Sequence, residues 1–600
     1  MKRLMSTAAI TLAGAVVLAG CSGGGPSTVP SNSAQDDTFT YDSGNCQTFD
    51  VASSPEKVAM MDDFAQEFKK RSEQRSPDNC YAPIVTKVSS GDAATYLEDN
   101  WEGVNLPRPA MWSPASSVWV DYVAEGTNGM IDEWQSFAHT PVVLAMPEQM
   151  AKQLGWPGKA IGFNDIHDVC LGGWGTFGGA AATWGDFKLA KTNPTSSTTG
   201  LNMVLMQAYA ANKKSDGLTT KDIASSSKFS KDIESCVTHY GDTTGAVLQR
   251  IADISNGDGN ALTYVSAVAV EEKSIIDYNM GNPDGDPDLD PSKYVVPEEK
   301  LVAVYPKEGS LESDNPVVVL GKGADWVTPE QRAGAEAFAE YLQTDAVQSK
   351  LDEYGFRPLD NSKPLAGLFN AKYGVDAKHP ATYLEKPAAD VAYAAITQWQ
   401  KDRKPSSIVY LMDGSGSMNN IPSGATSSYL QGAKDAAIAA IDLLRPTDRL
   451  GINVFWDTEM AAVRELKPIA GDIESNKLPN TINGIAAGGE TPLYDSVWAT
   501  YQSVKAQAEP GRINAIVLLS DGGNTVSNIR SMTVLTNMIT ADIGENANRA
   551  GQVMIFPVIY GNSAPEEELK QLAAATGGQV INATDPTLIK DKMLNAFRNF

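Results

Sequence analysis

Four short apolar runs stand out in the last third of the chain: SIVYLM, LGINVFW, NAIVLLS and VMIFPVIY. None alternates apolar with polar positions, the pattern of strands covered on both faces. Helical stretches such as SYLQGAKDAAIAAIDLL and PLYDSVWATYQSVKAQ separate them. The segment therefore predicts a doubly wound parallel sheet, whose ligands gather at the carboxyl ends of its strands. Residues from about 45 to 385 also alternate strand-like and helix-like segments over a greater length, which predicts a larger α/β region. Between the two, KPAADVAYAAITQWQKDRKPSS reads as a helix stopped at a basic, Pro-containing break. That places a helical connector at 386–404 and a boundary near residue 400.

Within the larger region the strand-to-helix joints are rich in hydroxyls: VASSPEK, VSSGDA, WSPASS and TNPTSSTTG. Unpaired N–H groups at a helix start favour anions, and Ser or Thr adds donors. Ser53, Ser54, Ser90, Ser113, Ser197 and Thr198 are thus candidate ligand-binding residues. The same residue types are ordinary N-caps, so only convergence on one cleft would make them a site. Near the end of this region, Thr328, Pro329 and Gln331 spell a capping box at a helix start. The acidic stretch NPDGDPDLDPSK lacks the Gly and distal Glu of an EF-hand and reads as a solvated loop.

The 600 residues exceed one core and predict two to four lobes. A net charge of −25 argues against nucleic acid and against anionic lipid headgroups as partners. Only four histidines occur (His139, His167, His239 and His379), and no G-x-S-x-G elbow sits at a strand-to-helix turn, so the chain does not read as an enzyme. At the start, Lys2 and Arg3 precede an apolar run shorter than the ~20 residues that span a bilayer. SGGGPSTVPSNSAQDD then reads as a flexible tether. Besides Cys21 there are four cysteines, Cys46, Cys80, Cys170 and Cys236, an even number that suggests two disulfides in an oxidising compartment. Three connectivities are open; pairing sequence neighbours, Cys46–Cys80 and Cys170–Cys236, is the simplest.

The most specific chemistry lies at the ends of the C-terminal strands. SIVYLM runs into Asp413, and the glycines of DGSGSM let Ser415 and Ser417 turn toward one point. GGETPL offers Thr491 before a helix, and NAIVLLS ends in Ser520 followed by Asp521. Asp413, Ser415, Ser417, Thr491 and Asp521 would surround a hard divalent cation with two charges and three hydroxyls, leaving a position for water or a visiting carboxylate. Such a saturated site also lacks a base poised to activate water.

Three resemblances follow from these residues. DGSGSM, GGETPL and LLSDG in this order resemble a von Willebrand factor type A domain over about 405–600, with its D-x-S-x-S…T…D metal-ion-dependent adhesion site on the five residues named. The resemblance implies a six-stranded Rossmann-like sheet, Mg²⁺ (or Mn²⁺ or Ca²⁺), and a protein partner lending an Asp or Glu. Leu18-Ala19-Gly20-Cys21 resembles the lipobox of bacterial lipoproteins, which implies a signal peptide at 1–20, lipidation of Cys21 and a tether at 21–44. VASSPEK, VSSG, WSPASS, DFKLAKTNPTSSTTGL and GFRP resemble extracellular solute-binding proteins over about 45–385. That implies a bilobed, type II periplasmic-binding-protein-like fold, with one lobe at about 45–140 resuming near 300, the other at 141–295, and a small ligand between them. Together they imply a binding lipoprotein on the extracellular face of the cell membrane. A substrate-binding component of an ABC-type transporter with an accessory C-terminal domain is the alternative.

Overall fold

A computed structural model describes residues 38–597 except 128, 242, 258–259, 287–288, 361, 363, 366, 381, 424, 475, 510, 546–551, 562 and 585–588. The lipobox, Cys21 and residues 21–37 of the expected tether lie outside the described residues, whereas its end is corrected: Thr38–Phe39 pair as an edge strand with Thr86 and Val85. The described residues form three sheets; the first two interleave along the chain and the third follows them. The first sheet runs Thr38–Phe39, Tyr81–Lys87, Gln47–Ser53, Met111–Ser113, Pro316–Leu320, Ile131–Ser136. The second runs Leu301–Val304, Thr140–Pro147, Ala267–Glu271, Leu189–Thr192, Val237–Gly241, with Glu312–Ser313 also paired to Thr140–Pro147. The chain thus crosses between these two lobes at 136–140 and returns at 304–316. Cys46 is bonded to Cys80 at the entry to two neighbouring strands, and Cys170 to Cys236.

Local signals explain several boundaries. Thr328 accepts the N–H of Gln331 while the Gln331 side chain accepts that of Thr328, and Pro329 opens the helix Pro329–Leu342. The connector is the helix Ala389–Asp402, which ends where Arg403 turns toward the buried Asp448.

The third sheet runs Glu459–Pro468, Arg449–Trp456, Ser406–Asp413, Ile513–Ser520, Val553–Tyr560, Ile581–Ala583. Its four long inner strands are parallel, and both faces are covered. Val409, Leu411, Ile516 and Leu518 pack toward the helix Leu493–Ala506, whereas Tyr410, Met412, Val517 and Leu519 pack toward Tyr429–Ile441. Burial on both faces is why these runs show no alternation. One edge corrects the all-parallel expectation: Glu459–Pro468 pairs antiparallel with Arg449–Trp456 as a hairpin. Its turn places Asp457 at φ 50°, and most of its side chains are exposed or half-buried.

Candidate functional site

Register builds the C-terminal corner. Met412 lies opposite Leu519, so Asp413 and Ser520 end two adjacent parallel strands side by side. Ser520 donates to Asp413 Oδ2 at 2.5 Å, and the Ser415 N–H donates to Asp413 Oδ1 at 2.7 Å. Ser415 Oγ lies 3.1 Å from Ser417 Oγ, which donates to Asp521 Oδ1 at 2.8 Å. Four of the five expected residues therefore form one connected cluster. Thr491 arrives on a neighbouring loop, which the Gly416 N–H contacts at the Gly489 carbonyl, 2.9 Å away. Its backbone is fixed on both sides: its N–H donates to Thr525 Oγ1 at 2.8 Å and its carbonyl accepts the Thr525 N–H at 2.9 Å. Thr491 is itself buried.

The electrostatics of this corner fit a hard cation. Burial pushes the Asp413 carboxyl above its ordinary range, and burial followed by the charge of Asp413 does the same to Asp521. Among the described residues neither carboxyl forms an ion pair with a lysine or arginine, and the charge of Asp413 acts on Asp521. No group of three or more His, Cys, Asp or Glu placed for a metal occurs among the described residues. A cation here would draw its remaining ligands from Ser415, Ser417, Thr491 and water, an all-oxygen set suited to Mg²⁺. Ser520 belongs to the cluster as well, through its bond to Asp413. Its place directly before Asp521 was the available signal.

The hydroxyl joints of the larger region meet. In the first lobe the Ser54 N–H donates to the Ser113 carbonyl at 3.0 Å, and Ser90 Oγ accepts the Ala115 N–H at 3.0 Å. Across the cleft the Gly91 N–H reaches the Ser196 carbonyl at 2.8 Å, and Trp119 Nε1 donates to Thr198 Oγ1 at 2.8 Å. A Cβ on Gly91 would stand 2.3 Å from the Thr195 carbonyl oxygen, so the approach requires glycine. Ser53, Ser54, Ser90, Ser113, Ser197 and Thr198 are all buried at this junction.

Each nominated hydroxyl already has a protein partner there. Ser54 accepts from Lys57 Nζ at 2.9 Å, Ser113 donates to the Pro316 carbonyl at 2.8 Å, and Ser197 accepts from Thr192 at 2.6 Å. Ser53 donates to the Ser54 carbonyl at 3.4 Å. Sequence reasoning missed Lys57, which is wholly buried and donates also to the Pro114 carbonyl and Asn315. Burial holds its ammonium pKa well below the lysine range and that of Glu271, a charge acting on it, above the carboxylate range. Ser117 Oγ, Thr199 Oγ1 and Thr244 Oγ1, also unassigned from sequence, are buried hydroxyls without a partner among the described residues. They sit in the first turns of helices Ser117–Gly126, Thr198–Asn212 and Thr244–Asn256. The sequence signal was only a hydroxyl residue directly following another at each helix start.

Comparison with known proteins covers both halves. A family model described as bacterial extracellular solute-binding protein matches residues 49–357, and one described as von Willebrand factor type A domain matches 407–594. An uncharacterized protein of Mycobacterium tuberculosis is 21% identical over 529 residues, 84% of this chain and 70% of its own length. Among solved structures, the sulfate-binding protein SubI from Mycobacterium tuberculosis aligns at 14% identity with a TM-score of 0.36, over 55% of this chain and 92% of that one. A von Willebrand factor type A structure from Catenulispora acidiphila aligns at 20% identity with a TM-score of 0.26, over 33% of this chain and 42% of that one.

Proposed function

Because the chain belongs to the bacterial extracellular solute-binding proteins and carries a von Willebrand factor type A domain at 407–594, we propose that it is an extracellular binding lipoprotein with two recognition sites. The first is a metal corner. Asp413, Ser415, Ser417, Thr491 and Asp521 would hold Mg²⁺, and the ion would present an open position to an Asp or Glu of a protein partner. The observation that carries this is the pair of buried carboxyls, without an ion-pair partner among the described residues, joined through Ser415 and Ser417. A bound divalent ion supplies the missing charge and makes a carboxylate ligand from outside favourable.

The second site is the junction of the two lobes, where a small solute would meet the helix starts bearing Ser117, Thr199 and Thr244. Anchoring through lipid on Cys21 would hold both sites at the outer face of the membrane; no helix among the described residues is long and apolar enough to cross it. The ABC-transporter reading keeps one observation in its favour, the family match over 49–357.

Three measurements test the parts separately. Titration with Mg²⁺ followed by a chelator tests the corner. Native mass spectrometry of the gently purified chain tests for a retained solute. Intact-mass analysis of the mature chain tests for acyl chains on Cys21, and an unmodified mass there removes the anchor.

A further inference from the structure

Two consecutive residues grip opposite lobes. The Glu385 carboxylate accepts the Gly217 N–H at 2.7 Å, and its carbonyl accepts the Tyr209 hydroxyl at 2.7 Å, both in the second lobe. The Lys386 ammonium pairs with Asp121 at 2.5 Å and lies 5.3 Å from the Trp134 ring centroid, both in the first lobe. The helix Ala389–Asp402 continues this bridge. It packs on Ser117–Gly126 of the first lobe and on Thr198–Asn212, Thr220–Ser225 and Ser227–Glu234 of the second. Its second-lobe side is anchored by one buried and one part-buried polar bond: Trp399 Nε1 donates to Glu234 at 3.2 Å, and Asp402 accepts from Ser227 at 2.8 Å.

The helices it joins are the ones that face each other across the cleft. Trp119, on Ser117–Gly126, bonds Thr198, which opens Thr198–Asn212. Hinge opening of two lobes separates such helices, and one rigid helix cannot remain packed on both. The C-terminal domain sides with the second lobe, since Arg250 donates to the Ala574 carbonyl at 2.5 Å, and at the end of the connector Lys404 donates to the Val237 carbonyl at 3.4 Å. The end of the bridge that can yield is therefore the first-lobe end, where Lys386 and Asp121 are both more than a third exposed (38% and 35%).

We propose that Glu385–Asp402 is a strap that latches the first lobe onto the second and that releases at its Lys386–Asp121 end when the lobes open. The strap is followed directly in the chain by the strand Ser406–Asp413. The latch requires neither the solute nor the metal, and its failure leaves both of those readings untouched.

The Gly91 amide reports closure, because its bond to the Ser196 carbonyl crosses the lobes. Residue-resolved hydrogen exchange of the full chain should show this amide exchanging about two- to fivefold faster in Lys386→Glu, the size expected for a half-exposed ion pair. Amides in the strand Gln47–Ser53 should be unchanged. The charge swap, Asp121→Lys with Lys386→Glu, should restore the original rate at Gly91. An unchanged Gly91 rate in Lys386→Glu overturns the latch. So does an increase shared equally by Gln47–Ser53, or one that the charge swap does not reverse.

Discussion

Ser520 and Asp413 join the carboxyl ends of two neighbouring parallel strands by a hydrogen bond of 2.5 Å, although 107 residues separate them in the chain. The bond satisfies one oxygen of a buried carboxyl, while the Ser415 N–H satisfies the other. Ser520→Ala should therefore destabilise the C-terminal domain by ~1–3 kcal/mol, the cost of leaving a buried acceptor unpaired. Chemical denaturation followed by tryptophan fluorescence measures it.

Asp448 ties the connector to the sheet. It is wholly buried and accepts from Arg403 at 3.2 Å, from the Ser406 N–H at 2.8 Å and from the Arg445 N–H at 2.8 Å. Asp448→Ala should cost about 3–5 kcal/mol, because it removes the buried carboxylate that the Arg403 charge pairs with. Thermal melts should show the C-terminal transition moving down ahead of the others.

Asp50 sets a pH dependence in the first lobe. Burial raises its carboxyl from the ordinary range to about 6. A carboxyl whose pKa is raised on folding adds stability when protonated, and that contribution is lost as pH climbs from about 4 through 6. Asp50→Asn should thus leave stability nearly unchanged at pH 4 and raise it by ~1–2 kcal/mol at pH 7, after allowance for partial solvent screening. Equal effects of the substitution at both pH values would contradict this.

The bond between Cys46 and Cys80 joins the starts of two adjacent parallel strands, Gln47–Ser53 and Tyr81–Lys87. Replacing both cysteines by serine should lower stability by ~2–4 kcal/mol and widen the first-lobe transition. Urea unfolding of the oxidised parent and the double variant provides the comparison.

The sheet around Asp413 was legible because strands buried on both faces leave unbroken apolar runs, and because D-x-S-x-S sits at the end of one. The edge strand Glu459–Pro468 was not: it is mostly exposed, so neither a continuous run nor clean alternation marks it. Ile581–Ala583 is too short to carry a pattern. In the larger region the hydroxyl joints announced themselves, but their partners did not. Nothing in the spacing distinguishes Lys57, buried against Ser54, from a solvated lysine on a first turn. The contact of Trp119 with Thr198 depends on how two lobes close, which local pattern does not encode.

Calorimetric titration of Mg²⁺ into the full chain and its variants tests the metal corner most directly. One saturable site is expected, whose occupancy stabilises the fold by ~2.7 kcal/mol at a hundred times the dissociation constant. Asp413→Ala and Asp521→Ala should each abolish it, since either removes half of the balancing charge. Thr491→Ala, which removes a neutral oxygen, should weaken it less. Absence of saturable binding in the parent, or undiminished binding in both Asp variants, would contradict a metal site at this corner.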